Sequence, residues 1–147
     1  MHKVAPAIEA AVAIPLVHIA NPTAAAIRQA GLSCVGLLGT RSTMEQDFYR
    51  ARLTDRHGID VVIPDDDDRA LVHRVIYEEL CLGRVEEASR LAYRDVIQRL
   101  VAQGAQGVIL GCTEISMLVG VEDAPVPLFD TTGLHAAAAV QVALAGC

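Results

Sequence analysis

The chain has 147 residues, of which 52% are hydrophobic and 20% charged, enough apolar material for one ordinary domain core and unlike the composition of a disordered chain. Aromatic residues make up only 3%, tryptophan is absent, and the net charge is −6. This composition argues against a nucleic-acid-binding protein, since such proteins present basic surfaces and often stack bases on aromatic side chains.

The first part of the chain predicts two helices and two strands. Residues 7–12 are typical of the end of a helix, and the apolar run 14–19 predicts a short buried strand. Asn21-Pro22 favours the start of a helix, with Asn as the N-cap and Pro in the first helical position, and Gly31 favours its end. The apolar run 34–39, bounded by glycine, predicts a strand buried on both faces.

The middle of the chain predicts a helix, a strand and an acidic helix start. Ser42 and Glu45 have capping-box spacing for one helix that ends near residues 57–58, and residues 59–63 predict the next strand. The acidic run 65–68 fits either a divalent-metal site or an N-cap with negative charge in the first helical turn. The second interpretation is favoured, because the helix dipole attracts such charges and no metal-ligand spacing is visible.

The remaining apolar patterns continue the alternation of helices and strands. They predict helices at 71–80, 88–100, 112–118 and 131–144, and strands at 107–111 and 126–129. Strands alternating with helices predict an α/β fold, a parallel sheet flanked by helices in three layers (α/β/α). Ligands of such sheets bind at the carboxyl ends of the strands, which selects the segments 18–23, 40–43, 112–114 and 130–132.

Cys112 follows a predicted strand directly and precedes a predicted helix. Helix N-termini lower the thiol pKa from about 8.5 towards neutrality, and their N–H groups can hold a carboxylate. The alternative is a buried structural cysteine, and position alone leaves both interpretations open. Cys34 and Cys81 lie in a predicted strand and on a predicted helical face, which indicates core positions.

Thr40 and Thr43 lie at a second junction between a strand and a helix. Their hydroxyl groups suit a carboxylate or a phosphate, although a purely capping role explains the same residues. Structural roles are predicted for His2, His18 and His135, and exposed positions for His57 and His73.

The rare residue types exclude several cofactors. Lys3 is the single lysine, so neither a P-loop nor a Schiff-base lysine for pyridoxal phosphate is indicated. The cysteines show no C-x-x-C spacing, and no apolar run reaches about 18 residues. We therefore expect a cytoplasmic protein with no cofactor, no bound metal and no membrane span.

Two motifs together resemble the second half of the aspartate/glutamate racemase family. They are Gly-Thr-x-x-Thr at 39–43, followed by Tyr49, and Gly-Cys-Thr-Glu at 111–114 after an apolar strand. Residues 44–49 and 125–132 are similar to the aspartate racemase branch in particular.

The resemblance implies a racemase with two α/β lobes that works without pyridoxal phosphate. Each lobe contributes one cysteine: one thiolate removes the α-proton, and the opposite thiol returns a proton to the other face. Cys112 would be the second-lobe cysteine, with Thr113 and Glu114 beside the substrate, an acidic amino acid or related carboxylate. Thr40 and Thr43 would bind a carboxylate. Further candidates for the site are His2, Asp130 and Thr131.

The family's first cysteine motif, Cys-Asn-Thr, would fall just before Met1. We therefore expect residues 1–32 to be a remnant of the first lobe, 33–130 to form a complete lobe, and 131–147 to pack back on the first lobe. Apolar faces left exposed by this arrangement predict a homo-oligomer, such as a dimer.

The activity expected from Cys112 alone is limited by stereochemistry. Inversion by proton transfer needs an acid and a base on opposite faces of the α-carbon. A single thiol returns a proton only to the side from which it came. Three alternatives stay open: an impaired racemase, a one-cysteine decarboxylase or isomerase on the same scaffold, and a non-catalytic lobe that binds a carboxylate or a partner.

Overall fold

The computed structural model describes residues 2–145, and a four-stranded sheet forms the centre of this part. The strands are β1 (Cys34–Leu38), β2 (Asp60–Val62), β3 (Val108–Leu110) and β4 (Leu128–Asp130). All neighbouring strands are parallel, in the order β2-β1-β3-β4. The predicted α/β class with a parallel sheet is confirmed.

Seven α-helices are described around this sheet. They are α1 (Ala5–Ala11), α2 (Ala20–Gln29), α3 (Arg41–Glu45), α4 (Asp47–His57), α5 (Asp66–Glu78), α6 (Glu87–Ala102) and α7 (Thr131–Ala145). Short 3₁₀ turns lie at His2–Val4, Leu80–Leu82, Thr113–Met117 and Val121–Asp123. No helix in the described range 2–145 is long and apolar enough to cross a bilayer.

The sheet separates two hydrophobic clusters, because side chains alternate between its faces. Val35 and Leu37 of β1 pack with α2 and α4 on one face. Leu38, Val108 and Leu110 pack with α5 and α6 on the other. Both clusters are built from aliphatic residues with few aromatic rings, as the composition requires.

The segment after β1 is capped differently from the prediction. Thr40, rather than Ser42, is the N-cap of α3, and its Oγ1 accepts a hydrogen bond from the Thr43 amide. The predicted single helix is two helices, because Gln46 takes an extended conformation (φ −87°, ψ 142°) between α3 and α4. Gly58 ends α4 with φ of +65°, a left-handed conformation that glycine adopts without strain.

The acidic run 65–68 forms the start of a helix. Asp65 caps α5 by accepting a hydrogen bond from the Asp68 amide at 2.9 Å. Asp68 in turn binds Arg99 of α6 through both carboxylate oxygens, at 2.6 and 2.7 Å. The capping interpretation is confirmed. In residues 2–145, no group of three or more His, Cys, Asp or Glu side chains is arranged to hold a metal ion.

The predicted strand at 14–19 is wrong. Residues 15–18 form no regular element, Ile14 is 75% exposed, and the four strands of the described sheet leave no partner for this segment. An extended run needs a neighbouring strand for its backbone hydrogen bonds, and Pro15 offers no N–H donor. The next helix also begins two residues early, at Ala20 instead of Pro22, so Asn21 lies in its first turn rather than at its cap.

Two apolar features lie at the surface. Cys81, predicted in the core, is exposed, because the helix before it ends at Glu78 and a 3₁₀ turn carries its side chain outward. Helix α7 packs against α2 and leaves an apolar groove of about 540 Å³ beside residues 15–18. Cys34, also predicted in the core, is only half-buried.

Candidate functional site

The carboxyl ends of three neighbouring strands bring the two sequence motifs together. Leu38, Leu110 and Asp130 are paired across the sheet, so the residues that follow them meet at one edge. The Gly111 amide donates to the Leu38 carbonyl at 2.7 Å, which carries the strand pairing one residue further. The hydroxyl of Thr131, a buried residue, donates to the Leu110 carbonyl at 2.8 Å.

Thr43 fills the space that two glycines leave open. A Cβ atom on Gly111 would lie 3.3 Å from the Thr43 methyl and 2.8 Å from the Leu38 carbonyl oxygen. A Cβ atom on Gly39 would lie 3.0 Å from the same methyl group. Both positions require glycine, because a side chain there would displace the backbone or push Thr43 away. The Oγ1 atoms of Thr40 and Thr43 are 3.1 Å apart and share one hydrogen bond.

A hollow of about 360 Å³ opens beside this contact. It is lined by Lys3, Ile19, Ser42, Thr43, Gln46, Phe48, Tyr49, Gly111 and Thr131. Burial raises the pKa of Tyr49 to about 12, partly offset by the neighbouring Thr23 hydroxyl, so its phenol stays neutral at physiological pH. Lys3 is the one charged side chain among these lining residues.

Cys112 begins the 3₁₀ turn Thr113–Met117 and is half-buried. Its Sγ donates a hydrogen bond to Oε2 of Glu114 at 2.9 Å. Burial and, secondly, this carboxylate raise the pKa of the thiol to about 12. Hydrogen bonds from Cys112 and Thr113 hold the pKa of Glu114 below its usual range. The proton therefore rests on sulfur.

The expectation of a lowered thiol pKa is thus wrong, because burial raises this pKa most strongly, and for two further physical reasons. The predicted helix at 112–118 is a 3₁₀ turn of five residues, which offers far less dipole than an α-helix. The adjacent Glu114 carboxylate also disfavours a second negative charge on sulfur.

The other predicted site residues occupy different positions at the same edge. Thr113 is exposed. Asp130 accepts hydrogen bonds from the amides of Thr132 and Gly133, so its carboxylate caps the first turn of α7. His2 opens a 3₁₀ turn, but its side chain lies outside the described part of the chain. The hollow reaches Gly111, the residue before Cys112, while Cys112 itself is absent from the lining given above.

The histidines mainly serve the backbone. The buried His18 accepts a hydrogen bond from the Ala20 amide through Nδ1, and His135 lies 2.7 Å from the Val17 carbonyl through Nε2. His73 accepts from the Arg41 amide at 3.2 Å, and His57 contacts Asn21. The predicted exposure of His57 and His73 is wrong, since both are half-buried between helices.

Lining residues missed by the sequence analysis include Lys3, Gln46 and Phe48. Lys3 reaches the hollow from a turn that is remote in sequence from both motifs. Two signals were available: its rarity, as the single lysine of the chain, and its place in Met1-His2-Lys3, which resembles what directly follows the family's first cysteine motif.

Comparison with known proteins gives one consistent answer. The profile of the Asp/Glu/hydantoin racemase family matches residues 1–139. An uncharacterized protein encoded in the pnlA 3′ region of Pectobacterium carotovorum subsp. carotovorum is 35% identical over 108 residues, covering 73% of this chain and 69% of that protein.

Solved structures agree with the family profile. A proposed Asp/Glu racemase from Yersinia pestis is 62% identical, with a TM-score of 0.94, over 98% of this chain and 63% of that chain. An aspartate racemase homologue from Pyrococcus horikoshii OT3 is 33% identical, with a TM-score of 0.86, over 97% of this chain and 62% of its own. Picrophilus torridus aspartate racemase is 25% identical, with a TM-score of 0.62, over 82% and 49% respectively.

The chain therefore spans less than two thirds of the length of these solved relatives. The matched profile covers nearly all of it, and both motifs lie at the edge of the sheet where α/β proteins bind ligands. The chain belongs to the Asp/Glu/hydantoin racemase family.

Proposed function

We propose that this chain provides one wall and one proton-transferring thiol of a racemase for aspartate or a closely related acidic amino acid. The observation that carries the proposal is the contact between the two motifs: the Thr43 methyl lies against Gly111, directly before Cys112. A substrate in the adjoining hollow would have hydroxyl groups on one side and the Cys112 segment on another. Family membership and the aspartate racemase homologues support the same reaction.

The threonine pair provides a donor for the substrate carboxylate. Thr40 and Thr43 carry two hydroxyl hydrogens, of which their mutual hydrogen bond uses one. When Thr40 is the donor in that bond, the Thr43 hydroxyl hydrogen is left to bind an anion at the hollow, where Ser42 adds a further hydroxyl. Thr131 plays a different part, because its hydrogen is held by the Leu110 carbonyl and its role is to fix the strand edge.

Cys112 enters the reaction as an acid. With a thiol pKa of about 12, it rests protonated and hydrogen-bonded to Glu114. It delivers this proton to a carbanion at the α-carbon, forming a C–H bond and leaving a thiolate. In the reverse direction the thiolate removes the α-proton. Racemisation further requires an acid/base group on the opposite face of the α-carbon.

One observation favours a second candidate function. A thiol that rests protonated suits protonation of a planar carbanion from one face, as in a decarboxylase on the same scaffold. There the bond to a carboxylate carbon breaks, carbon dioxide leaves, and the Cys112 proton forms the new C–H bond. Solvent then restores the proton on sulfur. A lobe that binds a carboxylate without turnover is the non-enzymatic alternative.

Incubation with L-aspartate in heavy water separates these functions. We expect NMR to show deuterium at the α-carbon. If protons are exchanged on both faces of the α-carbon, chiral chromatography should also show D-aspartate. Deuterium uptake with retained configuration would identify one-faced chemistry, and binding without exchange would identify a non-catalytic lobe. Release of carbon dioxide from a disubstituted malonate would favour the decarboxylase.

The thiol assignment is tested by Cys112→Ser, with Cys81→Ser as its matched control. Cys81 is exposed on a neighbouring 3₁₀ turn and is the smallest of the causes that raise the pKa of Cys112, so its replacement tests for a general effect of losing a thiol. We expect Cys112→Ser to slow exchange by at least about 10²-fold, since general acid–base groups contribute that much, and Cys81→Ser to leave it unchanged. Equal rates in the two variants would refute the role of Cys112.

A further inference from the structure

Lys3 lies between two adjoining hollows. Its side chain lines the hollow of about 360 Å³ at the strand ends and also a second hollow of about 250 Å³. The second hollow is lined by Lys3, Pro6, His18, Phe48, Ala51, Arg52, Asp55 and Arg56. Lys3 and Phe48 are common to both, so the two hollows are neighbours on either side of these residues, and together they are called the trough.

The charge in the first hollow comes from Lys3 alone. Its other lining residues are hydroxyl, amide, phenol, glycine or apolar groups. Within the described residues Lys3 makes no ion pair, whereas Arg52 in the second hollow lies 3.5 Å from Glu9 and donates to Asn21. An ammonium group beside neutral hydroxyls favours an anionic ligand over a neutral one of the same size.

We propose that Lys3 is a specificity-determining residue, whose ammonium group binds the side-chain carboxylate of an acidic amino acid. The α-carboxylate of this ligand takes the free hydroxyl hydrogen of the Thr40–Thr43 pair, which places its α-carbon towards Gly111 and Cys112. This inference rests on the proposed function, because it assigns the second carboxylate of the same substrate.

A lysine suits this task for a geometric reason. Its ammonium is a compact charge on a flexible stem, so it can follow carboxylates at different distances from the α-carbon. Lys3 is exposed on a 3₁₀ turn, which leaves its stem free to swing over the trough. The site should therefore prefer dicarboxylates over alanine while accepting more than one chain length.

The test compares wild type with Lys3→Gln and Lys3→Arg, using Arg56→Gln as the matched control. Arg56 is an exposed cation of the second hollow alone. Two quantities are measured for each: the affinity for succinate by NMR titration, and the α-deuterium exchange of L-aspartate relative to L-alanine. Thermal unfolding checks that each variant is folded.

We expect Lys3→Gln to weaken succinate binding and to lower the preference for aspartate over alanine by about 10- to 100-fold, the loss typical of a charged hydrogen bond. Lys3→Arg should restore part of the succinate affinity and part of the preference for aspartate, and Arg56→Gln should match wild type.

An unchanged preference for aspartate over alanine in Lys3→Gln would overturn the inference and leave the proposed function standing. Lys3-dependent succinate binding without any exchange would support this anion site and refute the catalytic proposal. Absence of both binding and exchange in wild type would refute both.

Discussion

Cys112 and Glu114 form a direct hydrogen bond, with Sγ 2.9 Å from Oε2, at the end of the central strand β3. The residues are two apart on a 3₁₀ turn, so the contact is local and depends little on the rest of the fold. It places a proton acceptor next to the thiol, and it also keeps the thiol protonated at rest. The acid form of Cys112 thus results first from burial of the sulfur and secondly from this local contact.

Replacement of Glu114 by Gln should lower the pKa of Cys112. The variant removes the carboxylate that raises the thiol pKa, while burial, the larger cause, remains. We therefore expect the pKa to fall below about 12 and to stay above the ordinary 9.0 of a cysteine. The rate of iodoacetamide alkylation at Cys112, followed against pH by peptide mass spectrometry, gives the value.

Cys81 is the internal control for that measurement. It is exposed in both proteins and reports any change in reagent or overall folding. A Cys112 profile that is identical in wild type and Glu114→Gln would show that the carboxylate has no influence on the thiol.

Stability should fall in alkaline solution because of the same thiol. Its pKa is about 12 in the folded protein and 9.0 when unperturbed, so above pH 9.0 the unfolded chain loses a proton that the folded protein keeps. The free energy of unfolding then decreases as pH rises. Allowing for partial exposure, we expect the loss in wild type to exceed that in Cys112→Ser by on the order of 1 kcal/mol at about pH 11.

Urea unfolding of both proteins from neutral to alkaline pH measures this difference. The buried Tyr49 also has a raised pKa and destabilises both proteins alike, so its contribution cancels in the comparison. The pKa of Tyr93 is raised by burial and, secondly, by the charge of Cys112, so Cys112→Ser also relieves part of that loss and the difference keeps its sign. Parallel curves for wild type and Cys112→Ser would contradict the assignment of a raised pKa to Cys112.

Gly111→Ala should damage both the fold and the site. The new methyl group would lie 2.8 Å from the Leu38 carbonyl oxygen, which is fixed by strand pairing, and 3.3 Å from the Thr43 methyl. Overpacking of this kind costs about 1–3 kcal/mol. Because the strain falls between the two motifs, we also expect weaker carboxylate binding at Thr43, measured by NMR titration at a temperature where the variant is folded.

Gly133→Ala is the matched control in helix α7. There the closest atom is an oxygen of the Asp130 side chain at 3.1 Å, which can move, and alanine favours the helix by about 1 kcal/mol. Chemical denaturation should show that Gly111→Ala is less stable than wild type and that Gly133→Ala is not. If both variants are equally stable, the close approach of Gly111 to Leu38 does not constrain the site.

The sheet could be predicted from the sequence because two of its strands are apolar runs bounded by glycine. Residues 35–39 and 107–110 are buried, and the ends of these strands carry the two motifs. The run 14–19 looks similar but forms no strand, since strand formation depends on a neighbour that composition does not reveal. Local signals fail where the partner lies elsewhere in the chain.

The candidate site likewise has one part that the sequence predicts and another that depends on contacts between distant segments. Thr40, Thr43 and Cys112 meet at one edge because parallel strands end together, and the sequence order alone indicates this. The raised pKa of Cys112 was missed because it depends on how deeply the fold buries the thiol and, secondly, on the direction of the Glu114 side chain. Lys3 was missed because only the packing of the N-terminal turn against helix α4 brings it to the trough.

Self-association is the last expectation that the structure makes testable. Helix α7 contains no Asp, Glu, Lys or Arg, and it packs against α2 and β4. Val140 and Leu144 are 57% and 71% exposed, and the apolar groove between α7 and residues 15–18 adjoins them. Apolar surface of this extent favours association, and two copies of one face can pair by twofold symmetry.

We expect a dimer or larger species by light scattering coupled to size-exclusion chromatography. The double variant Val140→Gln/Leu144→Gln should shift the protein towards monomer. Val121→Gln, which changes an 85% exposed side chain on the 3₁₀ turn Val121–Asp123 outside α7, should not. A wild-type protein that stays monomeric at high micromolar concentration would show that this face is stable in water without a partner copy.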